Sequence, residues 1–268
     1  MSIKPFYEDK DVLLARYSLG RDVLAFSTTR AGGVSQGNYA SMTINPYCGD
    51  APENVAENRR LLALELGVEP ENILLPHQVH GTKTLLVDSL FLQSVPALRT
   101  SWLEGTDALA TNRAGLCVGV STADCVPVLL YDPNHHAAAA IHAGWRGTVQ
   151  RIVAHTVAQM SAAYGTRPSD LRAVIGPAIS LHAFEVGQEV YDQFVEAQFD
   201  MDKIARREDK WHLNLPLCNR LQLEEAGVPT EQITDSNSCT YTQSEQYFSA
   251  RRLGAQSGRI YSGILLRR

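Results

Sequence analysis

One cysteine and two histidines stand where buried, strand-like segments meet turns or glycine-rich corners. His80 ends the segment HQVH, Cys125 follows the turn STAD, and His142 precedes GWRG. One thiolate and two imidazoles can bind Zn²⁺, and three protein ligands leave the fourth tetrahedral position for water or a substrate, as catalytic zinc requires. The alternative is that Cys125 is an ordinary core residue and that both histidines are simply hydrogen bonded. Because the chain has no CxxC or HExxH pair, spacing alone leaves both interpretations open.

Polar residues near these three could support a bound ion. Metal-bound imidazoles commonly donate their second N–H to a carboxylate, so Asp107 and Asp124 are candidates to orient a ligand or to act as a base. Aspartate is also an ordinary turn residue; for Asp107 a structural role is favoured, and for Asp124 both interpretations stay open. His77 and His80 would face opposite ways on a strand, since i and i+3 differ in parity, which leaves His77 a supporting role at most.

An arginine follows His142 at the start of a predicted helix. Arg146, together with the free N–H groups of that helix N-terminus, could hold a phosphate or carboxylate beside the metal. Glycines at a strand-to-helix corner also allow close packing whatever is bound, and Arg146 could simply be solvated. Both interpretations stay open.

Hydrophobic periodicity indicates the elements that must position these side chains. Pro52, a helical apolar pattern and Gly67 predict a helix over 51–68, and the i, i+3, i+4, i+7 pattern from Val149 predicts another over 149–163. Short apolar runs predict strands; they are DVLAFSTTR, the two halves of NILLPHQVHGTKTLLVD, GLCVGVSTADCVPVLLYDP around its turn, AAAAIHA, LRAVIGPAI and RIYSGILL. Two later helices are predicted in VGQEVYDQFVEAQF and LNLPLCNRLQLEEAGV, and Ser89–Gly105 is expected to be a surface excursion. Strands cluster before helices alternate in, which favours a mixed sheet with helices outside it.

Composition and charge exclude several classes of protein. The chain has 268 residues, 44% of them hydrophobic and 20% charged, and we expect one domain over 1–268. A net charge of −5 gives no broad footprint for nucleic acid or an anionic membrane, and no apolar run is long enough for a membrane span. Five scattered cysteines without a CxxC pair are typical of free thiols in a reducing compartment, so a cytoplasmic location is expected.

Eight segments, in order along nearly the whole chain, resemble the laccase-domain family, the YfiH/YlmD type of polyphenol oxidase and purine nucleoside phosphorylase. They are TTRAGGVS (28–35), NPYCGD (45–50), HQVHG (77–81), TDALAT (106–111), STADCVPVLLYD (121–132), HAGWRG (142–147), IGPAIS (175–180) and YFSARRLG (247–254). The resemblance implies an α+β fold with four layers, α/β/β/α, built on mixed β-sheets. It also implies a His-Cys-His metal centre, which maps onto His80, Cys125 and His142, the residues already chosen on chemical grounds.

The resemblance implies a set of activities that share one pocket. These are phosphorolysis of adenosine, inosine, guanosine and methylthioadenosine, deamination of adenosine, and copper-dependent oxidation of phenols. The leading hypothesis is a purine nucleoside phosphorylase in which His80, Cys125 and His142 bind Zn²⁺ and act in catalysis, Arg146 assists phosphate, and Arg30, Asn45 and Arg251 line the substrate pocket. The H-x-E…P-C-x-x-C signature of zinc deaminases is absent.

Two alternatives belong to other classes of enzyme. A His₂Cys set can form a copper site, so a copper-dependent polyphenol oxidase that acts on phenolic molecules is the first alternative, with Cu²⁺ in place of Zn²⁺. Eight histidines without an HxH pair do not supply the further copper cluster that dioxygen reduction needs in multicopper oxidases. A metal-free Cys125–His142 dyad that hydrolyses an amide is the second alternative, and a binding protein with a structural zinc is a third.

Overall fold

Two mixed β-sheets form the centre of the protein, whose computed structural model describes residues 11–267. In spatial order the five-stranded sheet comprises β1 (Leu14–Tyr17), β2 (Val23–Thr28), β14 (Ile260–Leu266), β6 (Cys117–Thr122) and β3 (Ile73–Leu74). The six-stranded sheet comprises β13 (Ile233–Asp235), β9 (Arg172–Ile175), β7 (Val126–Asp132), β8 (Ala137–Ala143), β5 (Ala108–Thr111) and β4 (Thr84–Leu86). Parallel pairs (β3–β6, β4–β5 and β9–β13) stand among antiparallel ones, so both sheets are mixed as predicted.

Helices and a small third sheet cover the outer faces. The third sheet comprises β10 (Glu185–Val186), β12 (Trp211–Leu213) and β11 (Ala205–Arg207). The helices are α1 (Pro52–Leu66), α2 (Ser89–Gln93), α3 (Pro96–Leu103), α4 (Trp145–Val149), α5 (Ile152–Tyr164), α6 (Gln188–Glu196), α7 (Met201–Ile204), α8 (Leu215–Glu225) and α9 (Ala250–Leu253). Within 11–267 no helix is both long enough and apolar enough to cross a membrane.

The alternation of side chains along each strand creates the layers. On β6, Val118 and Val120 are buried between the two large sheets, whereas Cys117 points to the outer face that α1 covers. On β7, Leu129 faces the other sheet, and Leu130 belongs to the core beneath α5 and α8. Three apolar layers therefore separate α1, the two sheets and the helices α4 to α8, whereas α2 and α3 pack against the layer between the sheets. The predicted four-layer α/β/β/α architecture is confirmed.

Helix α1 begins at Pro52 and ends at Gly67, whose φ of 68° is the left-handed conformation that glycine adopts at low cost, so this predicted helix is confirmed. The helix predicted over 149–163 is α5, which begins at Ile152 rather than at Val149. Val149 is the last residue of the short helix α4, and Arg151, with a φ of 62°, separates the two helices. The excursion expected at Ser89–Gly105 contains α2 and α3 and exposes apolar side chains such as Leu90 and Val95.

The turn between β6 and β7 brings the candidate ligands to one corner of the structure. β7 and β8 are antiparallel neighbours, with Pro127 opposite His142 and Val126 opposite Ala143. Cys125, directly before β7, therefore lies beside the end of β8. The segment with His80, between β3 and β4, reaches the same corner from the other side of β5.

Candidate metal centre and its cavity

The structure brings His80, Cys125 and His142 together. Their ligand atoms all lie within 4.8 Å of one another, and the two imidazole rings are 4.8 Å apart between centroids at 69°. His142 is buried, Cys125 is partly buried and His80 is exposed. Within 11–267 this is the single group of three or more His, Cys, Asp or Glu residues with such spacing. One soft thiolate and two imidazoles are a donor set that fits Zn²⁺ or copper, so the residues present fit a metal ion.

Gly144 makes the close approach of the three side chains possible. A Cβ atom at this position would lie 2.7 Å from Cδ2 of His80, 3.1 Å from Sγ of Cys125 and 3.7 Å from Nε2 of His142. Any larger residue would therefore push into the cluster. The first glycine of HAGWRG is therefore needed because a side chain there would collide with the three candidate ligands, whatever its role at the start of the helix.

Asp107 lies directly beneath the two histidines. Its fully buried carboxylate accepts a hydrogen bond from Nδ1 of His142 at 2.8 Å, so Nε2 of that ring is the nitrogen left for a metal. The same carboxylate accepts the backbone N–H groups of Val79 (3.2 Å), His80 (2.9 Å) and Gly81 (2.8 Å). The structural role favoured for Asp107 agrees with its three backbone contacts, and the same carboxylate also orients the ring of the candidate ligand His142.

Those backbone contacts hold His80 in an unusual conformation. Its φ is 62°, in the left-handed region that non-glycine residues adopt rarely and at a cost of about 1–3 kcal/mol when the surroundings enforce it. His80 therefore lies in a turn rather than on a strand. The parity argument about His77 was wrong for this reason, and His77 and His80 line the same cavity.

Asp124, the residue before Cys125, also has a left-handed backbone, with a φ of 88°. Its carboxylate accepts hydrogen bonds from Oγ1 of Thr240 at 2.6 Å and from the backbone N–H of Arg251 at 2.7 Å. These contacts tie the cysteine turn to the loop after β13 and to the start of α9. Asp124 thus anchors the loop of the candidate ligand Cys125, and within 11–267 its carboxylate forms no hydrogen bond with His80 or His142.

The thiol and the buried imidazole perturb each other. Burial alone would raise the pKa of Cys125, but the charge of His142 and hydrogen bonds from both imidazoles lower it to about 6. Burial would lower the pKa of His142, but the thiolate and Asp107 raise it to about 9. The protein thus favours the thiolate, which is the form of cysteine that binds metals.

A cavity of about 300 Å³ opens onto the cluster. Its lining residues are Asn45, Tyr47, Cys48, His77, Gln78, His80, Ser121, Thr122, Ala123, Cys125, His142, Ala250 and Arg259. No carboxylate is among them, and Arg259 is the one residue with a fixed positive charge. Tyr47 stacks on His77, with ring centroids 4.1 Å apart and planes 24° apart, while 48% of Tyr47 remains exposed.

The four residues expected to bind substrate lie in different places. Asn45 lines the cavity, although its amide already donates to Ser121 Oγ and accepts from the N–H of Tyr47. Arg30, Arg146 and Arg251 are not among the lining residues. For all four, a role in substrate binding stays a prediction.

The three arginines have other contacts in the structure. Arg30 is buried, donates to the carbonyls of Ala40 and Ser244, and lies over the ring of Phe248. The guanidinium of Arg146 lies 4.2 Å from the ring centroid of Trp145, the residue before it. That of Arg251 donates to two backbone carbonyls in the segment that leads into β10.

Tyr47 and Arg259 are among the lining residues that sequence reasoning missed. Tyr47 stands within NPYCGD, one of the motifs that carry the family resemblance, so that signal was available. Arg259 directly precedes β14, and its backbone N–H donates to Oγ1 of Thr43, 216 residues away in the chain. The residues around Arg259 in the sequence do not indicate a contact with a residue so far away in the chain.

Comparison with known proteins finds relatives that match nearly the whole chain. The family described as "Multi-copper polyphenol oxidoreductase laccase" matches residues 24–267. A purine nucleoside phosphorylase of Bacteroides thetaiotaomicron is 47% identical over 256 residues, which cover 94% of each chain. Adenosine deaminase RL5, from an unknown prokaryotic organism, is 39% identical over 245 residues, which cover 90% of this chain and 93% of the relative.

The crystal structure of YlmD from Geobacillus stearothermophilus superposes with a TM-score of 0.87 at 31% identity, covering 97% of this chain and 100% of that one. Relatives of this identity and coverage share fold and ancestry with the chain. The protein therefore belongs to the laccase-like family of YfiH and YlmD, whose characterised relatives carry the names of purine nucleoside phosphorylases and an adenosine deaminase.

Proposed function

We propose that the protein is a metal-dependent purine nucleoside phosphorylase that acts on adenosine, inosine, guanosine and methylthioadenosine. The observation that carries this proposal is the convergence of His80, Cys125 and His142 at a cavity with an aromatic wall, a cationic residue and no carboxylate. The names of several relatives, including that of Bacteroides thetaiotaomicron, support the choice of reaction.

His80, Cys125 and His142 would hold the metal, Zn²⁺ in the first instance and Cu²⁺ as the alternative. When bound, such an ion supplies a Lewis acid that stabilises negative charge beside it. Asp107 keeps the Nδ1 proton of His142 and so presents Nε2 to the cluster. These residues would be catalytic through the ion that they hold.

Phosphorolysis forms one bond and breaks another. An oxygen of phosphate attacks C1′ of the ribose, and the C1′–N9 bond breaks with its electron pair leaving on the purine. The purine takes up a proton, and ribose 1-phosphate and the free base are released. The protein must hold both reactants in line and stabilise charge, which is mostly a matter of positioning and electrostatics.

The stacked pair of Tyr47 and His77 offers a surface for the purine. Nδ1 of His77 lies 2.7 Å from Oε1 of Glu104, so the imidazole has a fixed orientation beneath the tyrosine ring. An aromatic face that is half exposed at the edge of a cavity is suited to stacking with a flat heterocycle. The base would therefore lie against Tyr47, with the ribose toward the metal cluster.

The experiment is a chromatographic assay of inosine turnover by the metal-loaded chain, with and without phosphate. Hypoxanthine and ribose 1-phosphate should appear only when phosphate is present, and Cys125→Ala should abolish both tight metal binding and turnover. Cys239→Ala is the matched control, since Cys239 does not line this cavity, and it should retain both. A Cys125→Ala variant that keeps its metal and full turnover would overturn the proposal.

Adenosine deamination is a second candidate, favoured by the likeness to adenosine deaminase RL5. In that reaction water adds at C6 of adenine and ammonia leaves, so phosphate is not consumed. Inosine formed from adenosine at an equal rate with and without phosphate would identify this activity. Both activities can be measured in one reaction mixture.

Oxidation of phenols is a further candidate, favoured by the description of the family. The structure has a single His/Cys cluster within 11–267, whereas dioxygen reduction in multicopper oxidases takes additional histidine-bound copper. Phenol oxidation measured with and without added Cu²⁺ distinguishes this activity. Turnover with copper but without any reaction of inosine would favour it over phosphorolysis.

A further inference from the structure

Arg259 carries the one fixed positive charge in the wall of the metal-site cavity. It is partly buried and directly precedes β14, and its backbone is tied to the 43–48 segment through the hydrogen bond to Thr43. Its guanidinium donates to the carbonyl oxygens of Ser257 (2.6 Å), Gly258 (2.9 Å) and Ala255 (2.8 Å). The turn that precedes Arg259 thus fixes the position of its own side chain.

These contacts leave part of the guanidinium free. Nη1 is used by Ser257 and Gly258, and Nη2 has a single acceptor, Ala255. In the described part of the chain, the Nε–H and one N–H of Nη2 have no acceptor. Nε and Nη2 are neighbouring nitrogens on one side of the guanidinium, and such a pair can bind two oxygens of a phosphate or carboxylate at once.

Among the described residues, no carboxylate neutralises the charge of Arg259 either. Arg151 is paired with Glu225 at 2.6 Å and Arg16 with Glu65 at 2.6 Å, but within 11–267 no carboxylate forms an ion pair with Arg259. Its acceptors are all uncharged. A partly buried cation with uncharged partners, in a cavity without carboxylates, favours an anionic ligand.

We infer that Arg259 is the residue that binds a phosphate group in the metal-site cavity, an inference that rests on the proposed function for the identity of the reaction. The sequence had indicated Arg146 for this task. Arg146 stacks on Trp145 and does not line the cavity, whereas Arg259 does. The phosphate group could come from inorganic phosphate or from a nucleoside 5′-monophosphate, since both present the same oxygens to a guanidinium.

The experiment measures binding without turnover. Calorimetric titrations of the metal-loaded full chain use inorganic phosphate, inosine 5′-monophosphate and inosine as separate probes. The variants are Arg259→Gln, Arg259→Lys and, as matched control, Arg252→Gln, which removes the same charge from an exposed residue outside the cavity wall. Thermal unfolding of each variant reports whether the 255–258 turn still folds.

Loss of a charge-assisted bidentate contact should weaken phosphate binding about 10- to 100-fold in Arg259→Gln. Arg259→Lys keeps the charge without the fork and should lie between that variant and the wild type. Binding of inosine should change little, and Arg252→Gln should match the wild type. Weakened binding of inorganic phosphate identifies the co-substrate as the source, and weakened binding of the monophosphate alone identifies a nucleotide.

Unchanged affinity for both phosphate probes in a folded Arg259→Gln variant would overturn the inference, as would a wild type that binds neither probe. If Arg259→Gln does not fold, the comparison of Arg259→Lys with the wild type decides. The inference and the proposed function fail separately. Phosphorolysis with an unchanged KM for phosphate in the Arg259 variants refutes only the inference, whereas Arg259-dependent phosphate binding without any phosphorolysis refutes only the proposed function.

Discussion

Replacing Asp107 by asparagine should weaken metal binding without removing a ligand. The carboxylate accepts four hydrogen bonds, from the Nδ1–H of His142 and from the backbone N–H groups of Val79, His80 and Gly81. Asparagine has the same shape but a single acceptor oxygen. Its NH₂ group would replace one carboxylate oxygen and would face two N–H donors, with which it cannot form hydrogen bonds. Loss of such a carboxylate behind a metal-bound histidine typically costs 10- to 100-fold in metal affinity. We therefore expect the Kd for Zn²⁺ to rise by about that factor, or about 1.4–2.7 kcal/mol.

The metal-free protein should also lose stability. At least one charge-assisted hydrogen bond disappears, each of which contributes about 1.5–3 kcal/mol, so the free energy of unfolding should fall by about 2 kcal/mol. Asp132→Asn is the matched control. Asp132 is equally buried and accepts from Nδ1 of His135 and from two backbone N–H groups, but it is the last residue of β7, at the opposite end of that strand from Cys125.

The assay is a competition titration of Zn²⁺ against a chelator, combined with urea unfolding of the metal-free variants. Both asparagine variants should be destabilised, but only Asp107→Asn should bind Zn²⁺ more weakly. If the two variants bind Zn²⁺ as tightly as the wild type, Asp107 supports the fold alone and its assigned role in orienting His142 is refuted.

Three further predictions follow from single contacts. Gly144→Ala should lower Zn²⁺ affinity about 10-fold or more, because its Cβ would lie 2.7 Å from the ring of His80; wild-type affinity by chelator competition would contradict this. Tyr47→Leu should raise the KM for inosine about 2- to 12-fold through lost stacking, whereas Tyr47→Phe should not; equal KM values in steady-state assays would exclude the stacking surface. Burial disfavours the thiolate of Cys239, but hydrogen bonds from Ser180 and Thr242 lower its pKa, so its alkylation should persist to lower pH than that of a free cysteine. Cys117, whose pKa burial raises to about 12, should stay unmodified in the folded protein, and peptide mass spectrometry over a pH series measures both rates.

Much of the fold follows from local patterns in the sequence. The apolar runs of β6 and β7 and the proline and glycine at the ends of α1 are short-range signals, and the structure confirms the elements that they predict. The helix predicted from Val149 shows the limit of such patterns. The apolar periodicity begins at Val149, but the backbone at Arg151 is left-handed, so α5 begins only at Ile152. The prediction of one domain over 1–268 stays a prediction.

The candidate ligands were predictable because each stands where a strand meets a turn, and because the family motifs contain all three. The residues that position these candidate ligands and complete the cavity could not be predicted from local sequence. Asp107 is 35 residues from His142, and its role depends on a turn at His80 that a strand pattern conceals. Arg259 reaches the cavity only because β14 lies between β2 and β6 in the sheet. Contacts of this kind are set by topology, so they become visible only in three dimensions.

The central claim is that one thiolate and two imidazoles, distant in the chain, bind a single metal ion. X-ray absorption at the zinc edge of the zinc-loaded full-length chain tests this most directly. The account predicts one sulfur at about 2.3 Å and nitrogen or oxygen ligands at about 2.0–2.1 Å, with the sulfur absent in Cys125→Ser. A wild-type spectrum that contains nitrogen and oxygen ligands alone, or a sulfur that remains in Cys125→Ser, would contradict it.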